Sequence, residues 1–293
     1  MNFQKVSLPP GLYFVATPIG TARDITLRAL DILASADVIA AEDTRSLRRL
    51  MDIHGIPLAG RSLVAYHDHS GQGTRDRLLS ALAQEQSVAY ASEAGSPLIA
   101  DPGYDLGRAV AEAGHLVTAA PGPSAVVAAL TLAGLPTDAF FFAGFLPSAA
   151  GARKSRLEAL RDVPGTLIFY ESPKRVQAAV AQAAEVLGGD RPAVLCRELT
   201  KRFEEIRRGT LASLAEGLVG NAVKGEIVLL IDRARSGIVS EGDVTSNLRD
   251  ALNRMSVKDA ADLVSKAHGL PRRKVYQMAL KLDVSATPEE NGS

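Results

Sequence analysis

The sequence is poor in the residues that form covalent or metal cross-links. Cys196 is the only cysteine among 293 residues, and there is no tryptophan. A single cysteine excludes an internal disulfide and any zinc or iron–sulfur site built from cysteines, and it fits a protein of the reducing cytoplasm. Because Cys196 lies in the apolar segment AVLC, we expect it to be a small buried side chain rather than a nucleophile.

Long hydrophobic runs and an excess of one charge are also missing. No stretch of about 18 uncharged apolar residues occurs, so no membrane span is expected. The first residues contain no apolar segment behind a basic start, so no secretion signal is expected either. The chain carries 33 basic and 33 acidic residues. Total charge therefore gives no argument for nucleic-acid binding, which would have to depend on local basic patches.

The length of 293 residues suggests about two domains. Short apolar segments alternate with helical patterns over residues 11–120, and this favours a buried parallel sheet. Asp24 is predicted to cap the first helix. The predicted strands are GLYFVA (11–16), VIAA (38–41), LVAYH (63–67), SVAYA (87–91) and HLVTAA (115–120).

The second half has a different pattern, because its last strand candidates follow one another without a long helix between them. This spacing favours a mixed sheet. The candidates are 139–145, 166–170, 193–198, 204–210 and 226–231. We therefore predict an N-terminal α/β domain (1–122), a second α/β domain (123–236), a small helical domain (237–283) after a polar linker, and a disordered tail (284–293).

The segments that follow the five N-terminal strands are TPIG, AEDTR, HDH, SEAGSP and PGPS. Short βα loops often contain such residues, but in parallel sheets the ligand crevice also lies beyond the carboxyl ends of the strands. The segment SEAGSPLIADPG (92–103) matches neither G-x-G-x-x-G nor the P-loop pattern. It suits a cofactor with an adenosine and an amino-acid end but no phosphate. His67 and His69 lack an evident third ligand, so no metal site is expected.

Two segments that end strands of the second half, YESPKR (170–175) and RELTKR (197–202), carry charges of mixed sign, which suit either a solvated edge or a cleft that meets phosphate and ribose. Two basic clusters are RKSR (153–156) and RRK (272–274). Each cluster alone is typical of a solvated surface. Together they are compatible with a track for nucleic acid.

Several segments occur together in one order: LYFVATPIG, AEDTR, HDH, SEAGSPLIADPGY, PGPSA, GFLP, FYESPKR and RELTKRFEE. In this combination the chain resembles the bacterial ribosomal RNA small subunit methyltransferase I family, within the tetrapyrrole-methylase-like superfamily. The resemblance covers about residues 10–232, and the tail resembles the small helical domain of many members. It implies two α/β domains of the tetrapyrrole methylase type, a homodimer, and S-adenosylmethionine as cofactor. It also implies 2′-O-methylation of a cytidine ribose in the decoding region of 16S ribosomal RNA, within the small ribosomal subunit.

The resemblance also implies site residues. The cofactor positions of the family correspond to Ala94, Gly95, Ser96, Ile99, Asp101, Ser124, Ala125 and Tyr170. A ribose hydroxyl is a weak acid, so a base or hydrogen-bond acceptor should assist; the candidates are Glu171, Glu198 and Asp43, and a mechanism without a dedicated base stays open. Basic side chains are expected to contact RNA phosphates: Lys174, Arg197 and Lys201 near the cleft, and Arg272, Arg273 and Lys274 in the tail.

Two other functions remain compatible with the sequence. One is a porphyrinoid C-methyltransferase of the same fold, which would need a cleft shaped for a macrocycle and no basic tail. The other is a ribosome-assembly factor that binds RNA without catalysis and has no need of the cofactor.

Overall fold

The computed structural model describes residues 2–67, 70, 72–234, 241–268 and 270–284. The chain divides into two compact units, Met1–Arg233 and Ala234–Ser293. The first unit contains two five-stranded sheets. The boundary predicted at Gly122 falls between these sheets and stays a prediction. The predicted disordered tail lies, from residue 285 onward, outside the described residues.

The first sheet is wholly parallel, as the sequence predicted. Its strand order is β3-β2-β4-β1-β5. Strands β1 and β4 at the centre are buried along their whole length, because helices cover both faces of a parallel sheet. The strands are β1 (Gly11–Val15), β2 (Val38–Ala41), β3 (Ser62–Ala65), β4 (Ser87–Ala91) and β5 (Val117–Ala120).

The helices between these strands are α1 (Leu27–Ser35), α2 (Thr44–Ile53), α3 (Gln72–Ala83) and α4 (Tyr104–Glu112). The prediction that Asp24 caps the first helix was wrong. Asp24 lies in a short 3₁₀ turn, Ala22–Asp24. Thr26 is the N-cap of α1 instead, and its side-chain oxygen accepts a hydrogen bond of 3.2 Å from the Ala29 N–H, the usual capping geometry.

The second sheet is mixed, which confirms the prediction. Its order is β6-β7-β10-β8-β9, with only the β6–β7 pair parallel. Its strands are β6 (Phe140–Phe145), β7 (Thr166–Glu171), β8 (Pro192–Arg197), β9 (Glu205–Thr210) and β10 (Ile227–Ile231). Its helices are α5 (Ala125–Ala133), α6 (Ala150–Leu160), α7 (Val176–Leu187) and α8 (Leu211–Leu218).

Strand β10 is the last strand in sequence but lies at the centre of the second sheet, between β7 and β8. All five of its residues are buried. Cys196 pairs with Val228 of this strand and is fully buried, as predicted, and burial raises the pKa of its thiol to about 11.

The second unit contains α9 (Glu241–Leu252), α10 (Val257–His268) and α11 (Arg272–Val284). These are the three helices predicted from the sequence. They enclose a core of their own that includes Leu248, Val264 and Val275. Among the described residues, no helix combines the length and the apolar content that crossing a membrane requires.

Candidate functional site

One cavity of the first unit has a volume of about 520 Å³ and is lined by residues of both sheets. From the first sheet come the loops that follow β1, β4 and β5. From the second sheet come the ends of β6, β7 and β8 and the beginning of β10. Because β10 is antiparallel to β7 and β8, its beginning lies at the same sheet edge as their ends.

The structure brings together, in the wall of this cavity, all eight residues expected to contact a cofactor. These are Ala94, Gly95, Ser96, Ile99, Asp101, Ser124, Ala125 and Tyr170. Two of the three carboxylates considered for catalysis, Glu171 and Glu198, line the cavity as well, and so does Lys201.

The loop of residues 92–103 is held in place by the segment that follows β1. Gly95 and Thr17 exchange two backbone hydrogen bonds, of 2.9 and 3.0 Å. The hydroxyl of Ser92 donates to the Gly95 carbonyl at 2.7 Å, and Ser92 and Thr17 are both buried. Gly95 has a φ of +82°, a conformation that glycine adopts without strain. The loop is therefore a fixed wall of the cavity.

The start of α5 adjoins this loop. Ser124 is the N-cap of this helix, but its side chain makes no capping hydrogen bond. The first N–H groups of a helix have no partner within the helix, so the first turn of α5 offers backbone donors beside the cavity. The Ser96 hydroxyl donates to the Pro123 carbonyl at 3.0 Å and joins the two loops.

Tyr170 forms part of the wall from the second sheet. Its ring meets Phe142 and Phe145 edge to face, with centroid distances of 4.9 and 5.7 Å. Burial, together with the negative charges of Asp101 and Glu226, raises the pKa of its hydroxyl to about 12. Tyr170 is therefore an uncharged hydrogen-bonding group at neutral pH. Phe145 is 55% exposed, and its ring lines the cavity.

Glu171, at the end of β7, is almost completely buried. Its Oε1 accepts from the Ser172 N–H at 2.8 Å and lies 3.2 Å from Arg175 Nε. Arg175 also donates to the Leu146 carbonyl. A buried carboxylate needs such a paired cation, and the pair fixes the turn that follows β7.

Glu198, Lys201 and Glu226 form a second network on the cavity wall. Oε1 of Glu198 accepts from the Glu226 N–H at 2.9 Å and from Lys201 Nζ at 3.0 Å. Lys201 Nζ also donates to Glu226 Oε2 at 2.9 Å. The hydrogen bond from the Glu226 N–H lowers the pKa of Glu198. Burial alone would lower the pKa of Lys201, but its bonds to Glu226 and Glu198 raise it.

Glu198 and Lys201 belong to the segment Glu198–Glu204, which connects β8 and β9 and is called here the 198–204 loop. Glu198 and Thr200 have positive φ angles of 51° and 62°, and such strain clusters at functional sites. The loop contacts the first sheet at Gly20, where an added Cβ would overlap Thr200 and Lys201. It is one of the places where the two halves of the first unit are in contact beside the cavity.

Three of the residues predicted in the first unit lie outside the cavity wall. Asp43 caps α2, where its Oδ1 accepts from the Arg45 and Ser46 N–H groups at 2.7 and 3.2 Å; these bonds lower its pKa. Arg197 is bonded to Glu205 at 2.8 Å and to the Lys224 carbonyl at 3.1 Å, and Lys174 is exposed.

The strand order explains why Asp43 lies apart. Strands β4, β1 and β5 are adjacent in the first sheet, whereas β2 and β3 lie to one side. Of the five loops predicted to form one site, three supply lining residues. His67, after β3, lines a separate cavity of about 160 Å³ with Arg75 and Asp105. His69 lies outside the described residues, among which no group of His, Cys, Asp and Glu has a metal-binding arrangement.

Arg272, Arg273 and Lys274 occupy the first turn of α11, as predicted, and all three are exposed. Arg272 forms an ion pair with Asp262 of α10. Arg273 and Lys274 are therefore the members of this cluster whose charges are more open to an external anion.

Sequence reasoning missed several lining residues. They are Ile19, Ala100, Phe145, Ser172, Pro173, Leu199, Gly225, Glu226, Ile227 and Val228. The segment GFLP contained a signal for Phe145. For the start of β10 no signal was available, because its position at this edge follows from the antiparallel pairing.

Comparisons with known proteins agree with this architecture. Residues 11–215 match the family model described as Tetrapyrrole (Corrin/Porphyrin) Methylases, and residues 239–283 match that of the RsmI C-terminal HTH domain. Among solved structures, cobalt precorrin-4 methyltransferase superposes with a TM-score of 0.56 at 18% identity, over 75% of this chain and 94% of that one. Uroporphyrin-III C-methyltransferase from Thermus thermophilus, complexed with S-adenyl homocysteine, gives 0.52 at 20% identity, over 75% and 96%. At these identities the likeness shows the fold alone.

Sequence relatives are much closer. The ribosomal RNA small subunit methyltransferase I of Mesorhizobium japonicum is 46% identical over 286 residues, which span 97% of this chain and 96% of that protein. The protein of the same name from Vibrio cholerae is 42% identical over 276 residues, 93% and 95% of the two chains. With both family models matched in order along its length, the chain belongs to the ribosomal RNA small subunit methyltransferase I family, within the tetrapyrrole methylases.

Proposed function

We propose that this protein transfers a methyl group from S-adenosylmethionine to the ribose 2′-oxygen of a cytidine in the decoding region of 16S ribosomal RNA. The observation that carries the proposal is the cavity built from both sheets, whose wall contains all eight expected cofactor residues, in a chain whose near-full-length relatives are named for ribosomal RNA methylation. The protein acts in the cytoplasm, where ribosomal subunits are found.

The methyl donor is S-adenosylmethionine, and the residues of the cavity fit it. The volume of about 520 Å³ is typical of small-molecule sites, which combine an apolar wall with a few polar groups. Ala94, Ile99 and Ala125 are apolar surface for an adenosine. The start of α5 offers donors to a carboxylate, and the carboxylate of Asp101 can accept from hydroxyl or ammonium groups.

The bound cofactor supplies an electrophilic methyl group on a sulfonium. The protein then has to align the ribose oxygen with that methyl group and exclude water. Glu171 and Glu198 are the carboxylates of the cavity wall. Because its pKa is lowered, Glu198 is a weak base, so we assign to it hydrogen-bond acceptance and the positioning of Lys201 rather than outright proton removal. Asp43 is the third carboxylate proposed to assist the ribose hydroxyl, although its Oδ1 already accepts a hydrogen bond at the start of α2.

RNA phosphates would be met by basic groups on both units. Lys201 lies on the cavity wall, Lys174 and Arg197 lie near it in sequence at the ends of β7 and β8, and Arg272, Arg273 and Lys274 begin α11. Phosphate contacts supply most of the sequence-independent affinity for nucleic acid.

We also propose a homodimer. Strands β5 and β6 are sheet edges, and they expose large apolar side chains, among them Val117, Phe140 and Phe141. Natural proteins rarely leave such edges uncovered. Light scattering behind size-exclusion chromatography should give twice the chain mass, and a monomer at micromolar concentration would contradict the proposal.

The activity is tested with small subunits from a strain that lacks this methyltransferase. Subunits, purified protein and isotopically labelled S-adenosylmethionine are incubated, and the RNA is digested to nucleosides for mass spectrometry. We expect label in 2′-O-methylcytidine. Label in a base-methylated cytidine would overturn the 2′-O assignment. Absence of label, together with absence of cofactor binding by calorimetry, would favour an assembly factor.

A parallel incubation with uroporphyrinogen addresses the porphyrinoid alternative, which the fold similarity makes worth testing. Methylation of the macrocycle with none of the RNA would establish that alternative. We expect the opposite result, since the relatives that span nearly the whole chain are named for RNA.

A further inference from the structure

The tip of the 198–204 loop presents an aromatic ring to solvent. Phe203 is 63% exposed, although large apolar side chains gain free energy when they leave water. The guanidinium of Arg202 lies over this ring, 5.4 Å from its centroid. The exposed ring and the guanidinium over it together form a surface that is both aromatic and positively charged.

The loop that carries this ring is internally bonded. The Thr200 N–H donates to Glu204 Oε2 at 2.7 Å, and the Lys201 and Glu204 N–H groups donate to the carbonyls of Glu198 and Lys201 at 3.0 and 3.1 Å. The Thr21 N–H donates to the Thr200 hydroxyl at 3.4 Å, which joins the loop to the first sheet. A ring held on a pre-organised loop loses little conformational entropy when it binds a ligand.

A second arginine–aromatic pair in the protein shows what distinguishes this one. Tyr104 is 67% exposed, and Arg108 lies 5.7 Å from its ring centroid. Arg108, however, is close to two carboxylates, Asp105 at 3.3 Å and Glu112 at 3.9 Å, as expected on a regular helix surface. Within the described part of the chain, Arg202 has no ion pair with a carboxylate, so its charge is available to an anion.

The position of the loop connects the ring to the site. Leu199 and Lys201, in the same loop, line the cavity, and Phe203 follows Lys201 by two residues along the chain. Proteins bind single-stranded RNA by stacking bases on aromatic rings and on arginine, while basic groups meet the phosphates. An unpaired cation beside an exposed ring supplies both the charge for a phosphate and the surface for a base that a nucleotide needs.

We propose that Arg202 and Phe203 form a stacking subsite for an unpaired nucleobase next to the target nucleotide. This inference rests on the proposed function. A base stacked here holds the neighbouring ribose at the mouth of the cavity, so the subsite contributes to substrate affinity and positioning and not to cofactor binding.

The test uses full-length Phe203→Ala, Phe203→Trp and Phe203→Leu, with Tyr104→Ala as the matched control. Binding to unmethylated small subunits is measured at equilibrium, independently of turnover, and cofactor affinity by calorimetry. We expect Phe203→Ala to weaken subunit binding by about tenfold and to raise KM by a similar factor. Phe203→Trp should bind like the wild type, and Phe203→Leu should bind like Phe203→Ala. The cofactor affinity of all these variants, and the subunit binding of Tyr104→Ala, should equal those of the wild type.

A second measurement addresses the charge of Arg202. Arg202→Gln should reduce the magnitude of the slope of the logarithm of the subunit-binding constant against the logarithm of the salt concentration by about 0.7.

Equal subunit binding by Phe203→Ala and the wild type would overturn the subsite. Full recovery of binding in Phe203→Leu would also overturn it, because apolar contact without stacking would then be sufficient. A loss of cofactor affinity in Phe203→Ala, or its conversion from a dimer to monomers, would overturn it as well. Failure of the proposed function would instead be seen in the wild type, which would bind subunits without methylating them or would not bind them at all.

Discussion

A Cβ atom on Gly225 would overlap the carboxylate of Glu198. Gly225 has a φ of +91°, and Glu198 has a φ of +51°, so both residues use the left-handed region to bring a glycine backbone against a carboxylate. The contact places Glu198 Oε1 within hydrogen-bonding distance of the Glu226 N–H and of Lys201 Nζ. The orientation of three charged side chains on the cavity wall therefore depends on one absent methyl group.

Gly225→Ala tests this dependence. The added methyl group should displace the Glu198 carboxylate, lower the free energy of unfolding by about 1–3 kcal/mol, and weaken cofactor binding measured by calorimetry. Gly220→Ala is the matched control, because Gly220 also has a positive φ, +72°, but no atom within 4 Å of the added Cβ. Equal effects of the two changes on cofactor affinity would contradict the assignment.

Gly95→Val tests the loop of residues 92–103. The φ of +82° disfavours a β-branched side chain, and a Cβ would lie 3.2 Å from Ile19 Cγ2. We expect cofactor affinity to fall at least tenfold, while circular dichroism reports an intact fold. Gly60→Val, at a φ of +78° with open space around it, should retain affinity. A well-folded Gly95→Val variant that bound the cofactor normally would remove this loop from the site.

The pKa of Glu198 predicts a pH dependence. The bond from the Glu226 N–H lowers this pKa, and burial opposes the shift without cancelling it. Ionisation of Glu198 therefore stabilises the folded state above the unfolded pKa, near 4.3, and this stabilisation disappears as the pH falls through the folded pKa. The difference in unfolding free energy between the wild type and Glu198→Gln, about 1 kcal/mol or less for a partly exposed pair, should be present at pH 7 and vanish in acid. A difference independent of pH would refute this account.

The cluster at the start of α11 predicts an effect on salt dependence. Arg273→Ala combined with Lys274→Ala should leave cofactor affinity unchanged and weaken subunit binding, with a shallower dependence on salt as two phosphate contacts are lost. Arg272 is kept in this variant because its pair with Asp262 supports the helical unit. Wild-type and variant binding curves of equal slope across a salt series would rule out the RNA contact.

Much of the fold could be predicted because it depends on local patterns. The five strands of the first sheet are short apolar segments whose neighbours are helical, and their burial makes them visible in the sequence. The position of β10 between β7 and β8 could not be predicted, because strand order is decided by packing between distant segments. The N-cap of α1 could not be predicted either: Thr26 occupies it instead of Asp24, and its side chain accepts a hydrogen bond from the Ala29 N–H.

The site was predictable only where it follows the rule for parallel strands. Gly95, Ser96 and Ser124 lie beyond carboxyl ends of β4 and β5, where ligands are expected. Glu226 and Ile227 lie at the beginning of a strand, so the same rule pointed away from them. Phe203 lies in the segment RELTKRFEE, which the sequence analysis singled out. Its proposed role in RNA binding, however, depends on the exposure of its ring and on the unpaired Arg202 beside it, and the sequence alone reveals neither.

The central position of β10 has a consequence for the newly made chain. Nascent domains generally fold from the N-terminus as they are synthesised, and the first sheet has all its strands once residue 120 is available. Strands β7 and β8, by contrast, each lack a neighbour until β10, which ends at Ile231, is inserted between them. Ile227 and Val228 of β10 are also part of the cavity wall. We therefore expect a ribosome-bound chain that ends before this strand to lack part of the proposed cofactor site, and to gain affinity for the methyl donor only after the strand has left the ribosome.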